Sequence, residues 1–149
     1  MSQVKPKFDH VGIVVENIEK TMERLSTLFE TELPTAGPYN RILNWRTTRF
    51  AMLSANGACV ELLEPKEGPM LDFLRKKGDG AVCEICFGVD DIEKYHDKIK
   101  SMGITPLDDF DGSPLIGKKY HGPTVSGAKL FYLPRRGDEP AFEILQRPP

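Results

Sequence analysis

The chain has 149 residues, 40% of them hydrophobic and 28% charged, with 20 basic against 22 acidic side chains. That length supports one sizeable core, so a single domain over residues 1–149 is expected, and a formal net charge of -2 leaves no electrostatic excess for gripping a phosphate backbone. The longest apolar stretch, Val11 to Val15, falls far short of the roughly 20 residues of a membrane span, and "MSQVKPKFDH" lacks the apolar segment of a signal peptide, so a cytoplasmic protein without nucleic-acid or membrane partners is expected.

In chain order, "DHVGIVV" (Asp9 to Val15) predicts a strand, and Asn17 stands where the N-cap of a following helix belongs. Ile18, Met22, Leu25 and Phe29 then recur at helical spacing. Three strands follow at Arg41–Trp45, Arg49–Leu53 and Ala58–Leu63, with Asn56-Gly57 as the turn of the last hairpin. A further strand over Cys83 to Val89 leads through the N-cap Asp91 into a helix carrying Ile92, Tyr95, Ile99 and Met102, which Gly103 ends. The stretch from Asp108 to Gly127 is rich in Gly, Pro and Asp and predicts a long loop. Strands at Lys129–Leu133 and Ala141–Leu145, joined by "PRRGDEP", complete the chain. Cys59, Cys83 and Cys86 sit in strand-like runs, without the spacing of a disulfide framework, and are expected as reduced thiols.

These elements repeat. "DHVGIVVENIEK" (Asp9 to Lys20) and "CEICFGVDDIEK" (Cys83 to Lys94) match 74 residues apart, and "VELLEP" (Val60 to Pro65) is answered by "FEILQR" (Phe142 to Arg147) 82 residues later. The increase in offset is absorbed by the long second-half loop. The order of both echoes predicts an α+β fold of two tandem βαβββ modules, over about residues 7–66 and 81–147.

Strand alternation divides each repeat into two faces. Val11, Ile13 and Val15 oppose His10, Gly12 and Val14, and Ile85, Phe87 and Val89 oppose Glu84, Cys86 and Gly88. With the bulky faces on the helices, Glu61 and Glu143 turn the same way as His10 and Glu84, which puts four polar groups on one surface. Three carboxylates buried together raise one another's pKa values, and a divalent cation relieves that repulsion. His10, Glu61, Glu84 and Glu143 are therefore candidate metal ligands.

The segments "FDHVGIVVENIEK", "VELLEP", "GDGAVCEICFGVDDI" and "FEILQR" resemble the vicinal oxygen chelate superfamily, which includes glyoxalase I, methylmalonyl-CoA epimerase, extradiol dioxygenases and bleomycin-resistance proteins, and look most like its epimerase and glyoxalase branch. The resemblance implies paired modules forming a curved, open mixed β-sheet around a central cavity, with one metal ligand from each first and last strand. By position these are His10, Glu61, Glu84 and Glu143. Where the family usually has His, this chain has Glu84, which makes the ligand set harder and more anionic. Mn²⁺, Mg²⁺, Fe²⁺, Co²⁺, Ni²⁺ and Zn²⁺ are all candidate cofactors.

The resemblance implies a metal-dependent lyase or isomerase that moves a proton on a small substrate chelated through neighbouring oxygens. Glu143 and Glu84 are the candidate proton carriers. The epimerases use a second base from the strand before Phe50, where this chain has Asn44, Trp45, Arg46 and Thr47, so Glu84 is the candidate replacement. The alternative is a non-catalytic ligand-binding or resistance protein that offers Trp45 and Phe50 to a small molecule. A non-haem iron dioxygenase ranks third, because His96 and His121 fall in a helix and a loop. Arg46, Arg49 and the loop residues Lys118, Lys119, Tyr120 and His121 are candidate contacts for an anionic substrate group. Modules of this kind pair within one chain or across a homodimer, and the sequence is compatible with both.

Overall fold

The computed structural model describes residues 5–29, 42–55 and 58–149. Among these residues seven strands and three helices form an α+β fold with a mixed sheet. In order they are β1 (Lys7–Val14), α1 (Ile18–Phe29), β2 (Leu43–Trp45), β3 (Thr48–Ala55), β4 (Ala58–Pro65), α2 (Pro69–Lys77), β5 (Val82–Gly88), α3 (Ile92–Ser101), β6 (Lys129–Tyr132) and β7 (Ala141–Gln146). The expected Asn56-Gly57 turn, and Arg41 of the expected second strand, lie outside the described residues. Two compact units divide the chain: His10–Cys83 forms one, and Glu84–Pro149 together with the segment ending at Asp9 forms the other.

In the His10–Cys83 unit the strands lie in the order β2-β3-β4-β1. β1 and β4 are parallel, while β3 is antiparallel to β4 and to β2. The alternation read from the sequence holds: Ile13, Val60 and Leu62 face α1, where Ile18, Met22 and Leu25 close the core with Val15, Ala51 and Leu53. Phe29, at the end of the expected apolar stripe, is exposed. Asn17 caps α1 as its position predicts, its Oδ1 accepting from the Lys20 amide at 2.9 Å.

A second side chain, the acid Glu64, also serves the start of α1. Glu64 is buried on the helix side of β4, and its Oε2 accepts the Ile18 amide at 2.8 Å. Its other oxygen takes Arg49 Nη1 at 3.2 Å and the Lys66 ammonium, and Arg49 also pairs with Glu19 on the helix. Arg49 thus binds the protein's own carboxylates on the helix face, which corrects the expectation that it contacts a substrate.

The other unit repeats the pattern with the order β5-β7-β6, β5 parallel and β6 antiparallel to β7. Ile92, Ile99, Phe131 and Ile144 form its helix-side core, with Phe87, Val89 and Tyr95 packed against them. Asp91 Oδ1 accepts the Lys94 amide at 3.0 Å. At the other end Gly103, at φ +79°, closes α3, with the Ile104 amide returning to Ile99 O and the Gly103 amide to Lys100 O. Met102, expected on the apolar stripe, is 62% exposed because it has already left the helix as its C-cap.

Two features depart from the sequence reading. The second module has three full strands among the described residues where the repeat predicts four; in place of the strand expected between α3 and β6, Leu107 forms only isolated bridges, to Pro114 and Tyr132. The Gly- and Pro-rich stretch around it cannot sustain a ladder, although Leu115 and Tyr120 still pack on the core. The second departure is α2, which the sequence reading omitted. Pro69 opens it, three basic residues occupy its last turn, and Met70, Phe73 and Leu74 are buried. Cys59, Cys83 and Cys86 are reduced thiols, as expected. No helix among the described residues is long and apolar enough to cross a membrane.

Candidate metal and proton-transfer site

Within the His10–Cys83 unit, His10 and Glu61 come together on the face of the strands opposite α1. Glu61 stands opposite Gly12, two residues along β1 from His10. Gly12 has no side chain to crowd the carboxylate, and His10 Nε2 lies 3.6 Å from Glu61 Oε1. His10 is 2% exposed and Glu61 is half-buried. The same face continues through apolar neighbours: Met52 is paired opposite Glu61, Phe50 opposite Leu63, and Leu43 opposite Phe50.

Alternation puts Trp45 on that face as well, half-buried, with the Arg46 guanidinium 5.3 Å from its ring centre. Arg46 adopts a positive φ of 53° in the two-residue turn between β2 and β3. Asn44 falls on the opposite face. In β2 and β3 this face is therefore made of Leu43, Trp45, Thr48, Phe50, Met52 and Ser54, none of which is an acid.

The second unit builds the corresponding pair. Glu143 stands opposite Cys86, two residues along β5 from Glu84, so the spacing between the two acids equals that between His10 and Glu61. Glu84 is fully buried and Glu143 is 4% exposed, and they offer carboxylate oxygens within 4.8 Å of each other. Two anions so close in a water-poor setting repel strongly, and a cation or a shared proton relieves the repulsion.

Tyr132 is a member of this site that the sequence reading missed. It stands opposite Glu143 in the β6–β7 ladder, and its hydroxyl donates to Glu84 Oε2 at 2.9 Å. A tyrosine in an apolar strand reads as core. Its acid lies 48 residues earlier, so only the ladder register reveals the contact.

The remaining candidates lie elsewhere. His96 is a buried residue of α3, edge-on to Phe131 with ring centres 5.9 Å apart, and its Nδ1 is 3.2 Å from Asp97 Oδ1. His121 Nδ1 is 3.1 Å from Asp108 Oδ1. Lys119 pairs with Asp97 at 2.8 Å, and Lys129 lies over the Tyr120 ring. The Lys119–Asp97 and Lys129–Tyr120 contacts tie the long loop to its own unit. Beside Lys119, the Asp97 carboxyl is held below its ordinary range.

The model of the glyoxalase/bleomycin resistance protein/dioxygenase superfamily matches residues 9–115, more than two-thirds of the chain. The chain belongs to that superfamily. It is 31% identical over 121 residues to the mitochondrial methylmalonyl-CoA epimerase of Dictyostelium discoideum, a match covering 80% of this chain and 68% of that protein. It is 29% identical over 131 residues to the ethylmalonyl-CoA/methylmalonyl-CoA epimerase of Cereibacter sphaeroides, covering 87% and 89% of the two chains. A Streptomyces coelicolor methylmalonyl-CoA epimerase variant, solved in complex with 2-nitronate-propionyl-CoA, shares the fold at a TM-score of 0.72. That match has 22% identity and covers 98% of this chain and 96% of the other. The superfamily expected from the repeated segments is thereby established, and its epimerase relatives support an isomerase-type activity.

Proposed function

We propose that this member of the superfamily is a divalent-metal-dependent isomerase of the epimerase type. It would move a proton at the carbon beside the carbonyl of an acyl thioester, or of another small substrate with two neighbouring oxygens. The observation that carries this reading is the pair of buried acids, Glu84 and Glu143, with oxygens within 4.8 Å in one unit, matched by His10 and Glu61 at the same ladder spacing in the other.

In this reading His10, Glu61, Glu84 and Glu143 hold the ion. The donor set fits such a role: one imidazole and three carboxylates form a hard, anionic site suited to Mn²⁺, Mg²⁺ or Fe²⁺ and acceptable to Co²⁺, Ni²⁺ and Zn²⁺. A bound cation supplies Lewis-acid polarisation of a substrate oxygen, which acidifies the neighbouring C–H bond. The chain's own residues do the rest. Glu143 takes the proton onto a carboxylate oxygen and returns it once the planar carbon has turned its other face, or to the neighbouring carbon of an α-hydroxy ketone, and Glu84 is the second carboxylate, sharing either the ion or the proton. Beside His10 and Glu61, Leu43, Trp45, Phe50 and Met52 supply an apolar border that limits water.

The epimerase relatives favour enzymatic over purely ligand-binding use of this surface. The test is elemental analysis of protein purified without chelator, followed by deuterium uptake from D₂O at the α-carbon of 2-substituted malonyl thioesters and of α-hydroxy ketones. Metal-dependent uptake is expected with one of these classes. Protein that carries no metal, binds none on addition and promotes no uptake would overturn the proposal.

A further inference from the structure

Tyr132 and Glu84 occupy strands that are not neighbours: β7 lies between β6 and β5. Adjacent strands are about 4.8 Å apart, so a bond from β6 to β5 bridges nearly 10 Å across the face of β7. Only a long side chain does this, and only over a small residue. Ala141 is the residue of β7 paired with Glu84, and it is 1% exposed, so it is covered despite its size. The Tyr132 hydroxyl completes the span at 2.9 Å from Glu84 Oε2, with Tyr132 itself 2% exposed.

A phenol has one hydrogen to donate. Tyr132 stands directly opposite Glu143, yet that hydrogen goes to Glu84. The two acids are therefore inequivalent: Glu84 is held by one oxygen against a rigid aromatic, whereas Glu143 does not receive that hydrogen. Side chains that orient a metal ligand from behind it fix its rotamer and the oxygen it presents.

We infer that Tyr132 is a positioning residue that locks Glu84 as a metal ligand through Oε1 and leaves Glu143 as the proton carrier. The inference deepens the proposed function and rests on it. It decides between the two roles open to Glu84, because a carboxylate clamped at one oxygen is suited to fixed ligation and poorly suited to the reorientation that taking up and delivering a proton requires.

The test is Mn²⁺ binding to the full chain by calorimetry, with the electron paramagnetic resonance of the bound ion as a second readout, for the wild type, Tyr132→Phe, Glu84→Gln and the double variant. Tyr132→Phe keeps the ring and removes only the hydroxyl. Its Mn²⁺ affinity is expected to fall about 10- to 100-fold, with an altered resonance, while its thermal midpoint stays within a few degrees. In the Glu84→Gln background the same change should have little further effect, which separates positioning from a general loss of packing. Unchanged affinity in Tyr132→Phe beside a wild type that binds Mn²⁺ would overturn the inference and leave the proposed function standing, as would equal losses in both backgrounds. A wild type that binds no divalent metal would overturn both.

Discussion

Glu64 Oε2 accepts the backbone amide of Ile18, so an acid near the end of β4 caps a helix that begins 46 residues earlier in the chain. Burial alone pushes the Glu64 carboxyl up, but hydrogen bonds from Lys66 and the Ile18 amide and the charge of Arg49 outweigh it and hold the group below its ordinary value of 4.5. A carboxyl depressed in the folded state stabilises the fold above its unfolded pKa, and that contribution disappears as the pH falls through the folded pKa. Wild-type stability is therefore expected to decline below about pH 4.5, and Glu64→Gln should flatten this dependence while lowering stability at pH 7. Urea melts of both proteins from pH 7 to pH 3 measure this. Glu64→Ala should be worse at pH 7, by about 2–3 kcal/mol, because it also leaves the Ile18 amide and Arg49 without their acceptor. A wild-type and Glu64→Gln pair with parallel pH profiles would refute the assignment.

Glu143 is the proton carrier in the proposed reaction, and glutamine there keeps the size and removes the basic oxygen. Glu143→Gln should reduce α-carbon deuterium uptake by about 10²- to 10⁴-fold. The far-ultraviolet circular dichroism should remain that of the wild type. Uptake within a few-fold of the wild type would remove Glu143 from the chemistry.

Metal removal gives an independent expectation. Dialysis against a chelator should abolish uptake and lower the thermal midpoint, because an ion that binds only the folded state stabilises it in proportion to the logarithm of its concentration over its dissociation constant. Restoring Mn²⁺ should recover both. Glu61→Gln and His10→Ala should need higher ion concentrations for the same recovery. Thermal melts that do not respond to the ion at any concentration would count against a site held by these residues.

Asp91 offers a test remote from the chemistry. Its side chain satisfies the Lys94 amide at the start of α3, and its replacement by alanine should destabilise the protein by about 1 kcal/mol. Equilibrium unfolding checks the value, and uptake by the folded fraction should be unaffected.

The features legible in the sequence were those stored in local pattern. Asn17 and Asp91 announce helix starts because a short acceptor before a periodic apolar run has a definite use, and simple alternation places Ile13, Leu62, Phe87 and Ile144 on the helix side. The pairs His10 with Glu61 and Glu84 with Glu143 followed from the same alternation once the repeat aligned the strands. What escaped depended on register across strands. The Glu64 cap required knowing that β4 lies beside the start of α1, and the Tyr132 contact required the order β5-β7-β6. The placing of Arg49 on the helix side likewise depends on register, through its pairing with Glu64 in the β3–β4 ladder. The helix α2 had readable signals in Pro69 and its basic last turn, but nine residues between two repeated halves are easily passed over as a linker.

The equal ladder spacing of His10 to Glu61 and of Glu84 to Glu143 separates where a group is held from what the group is. Position is encoded in backbone hydrogen bonds, which do not depend on side-chain identity, so in the proposed site each of the four places would serve as a socket for a different donor without refolding of the strands. A histidine at one socket and a glutamate at its counterpart are then two settings of one scaffold. The same encoding sets a boundary: inserting or deleting a single residue in β4 or β7 would turn its glutamate to the helix side and dismantle the socket, however conservative the side chains left behind.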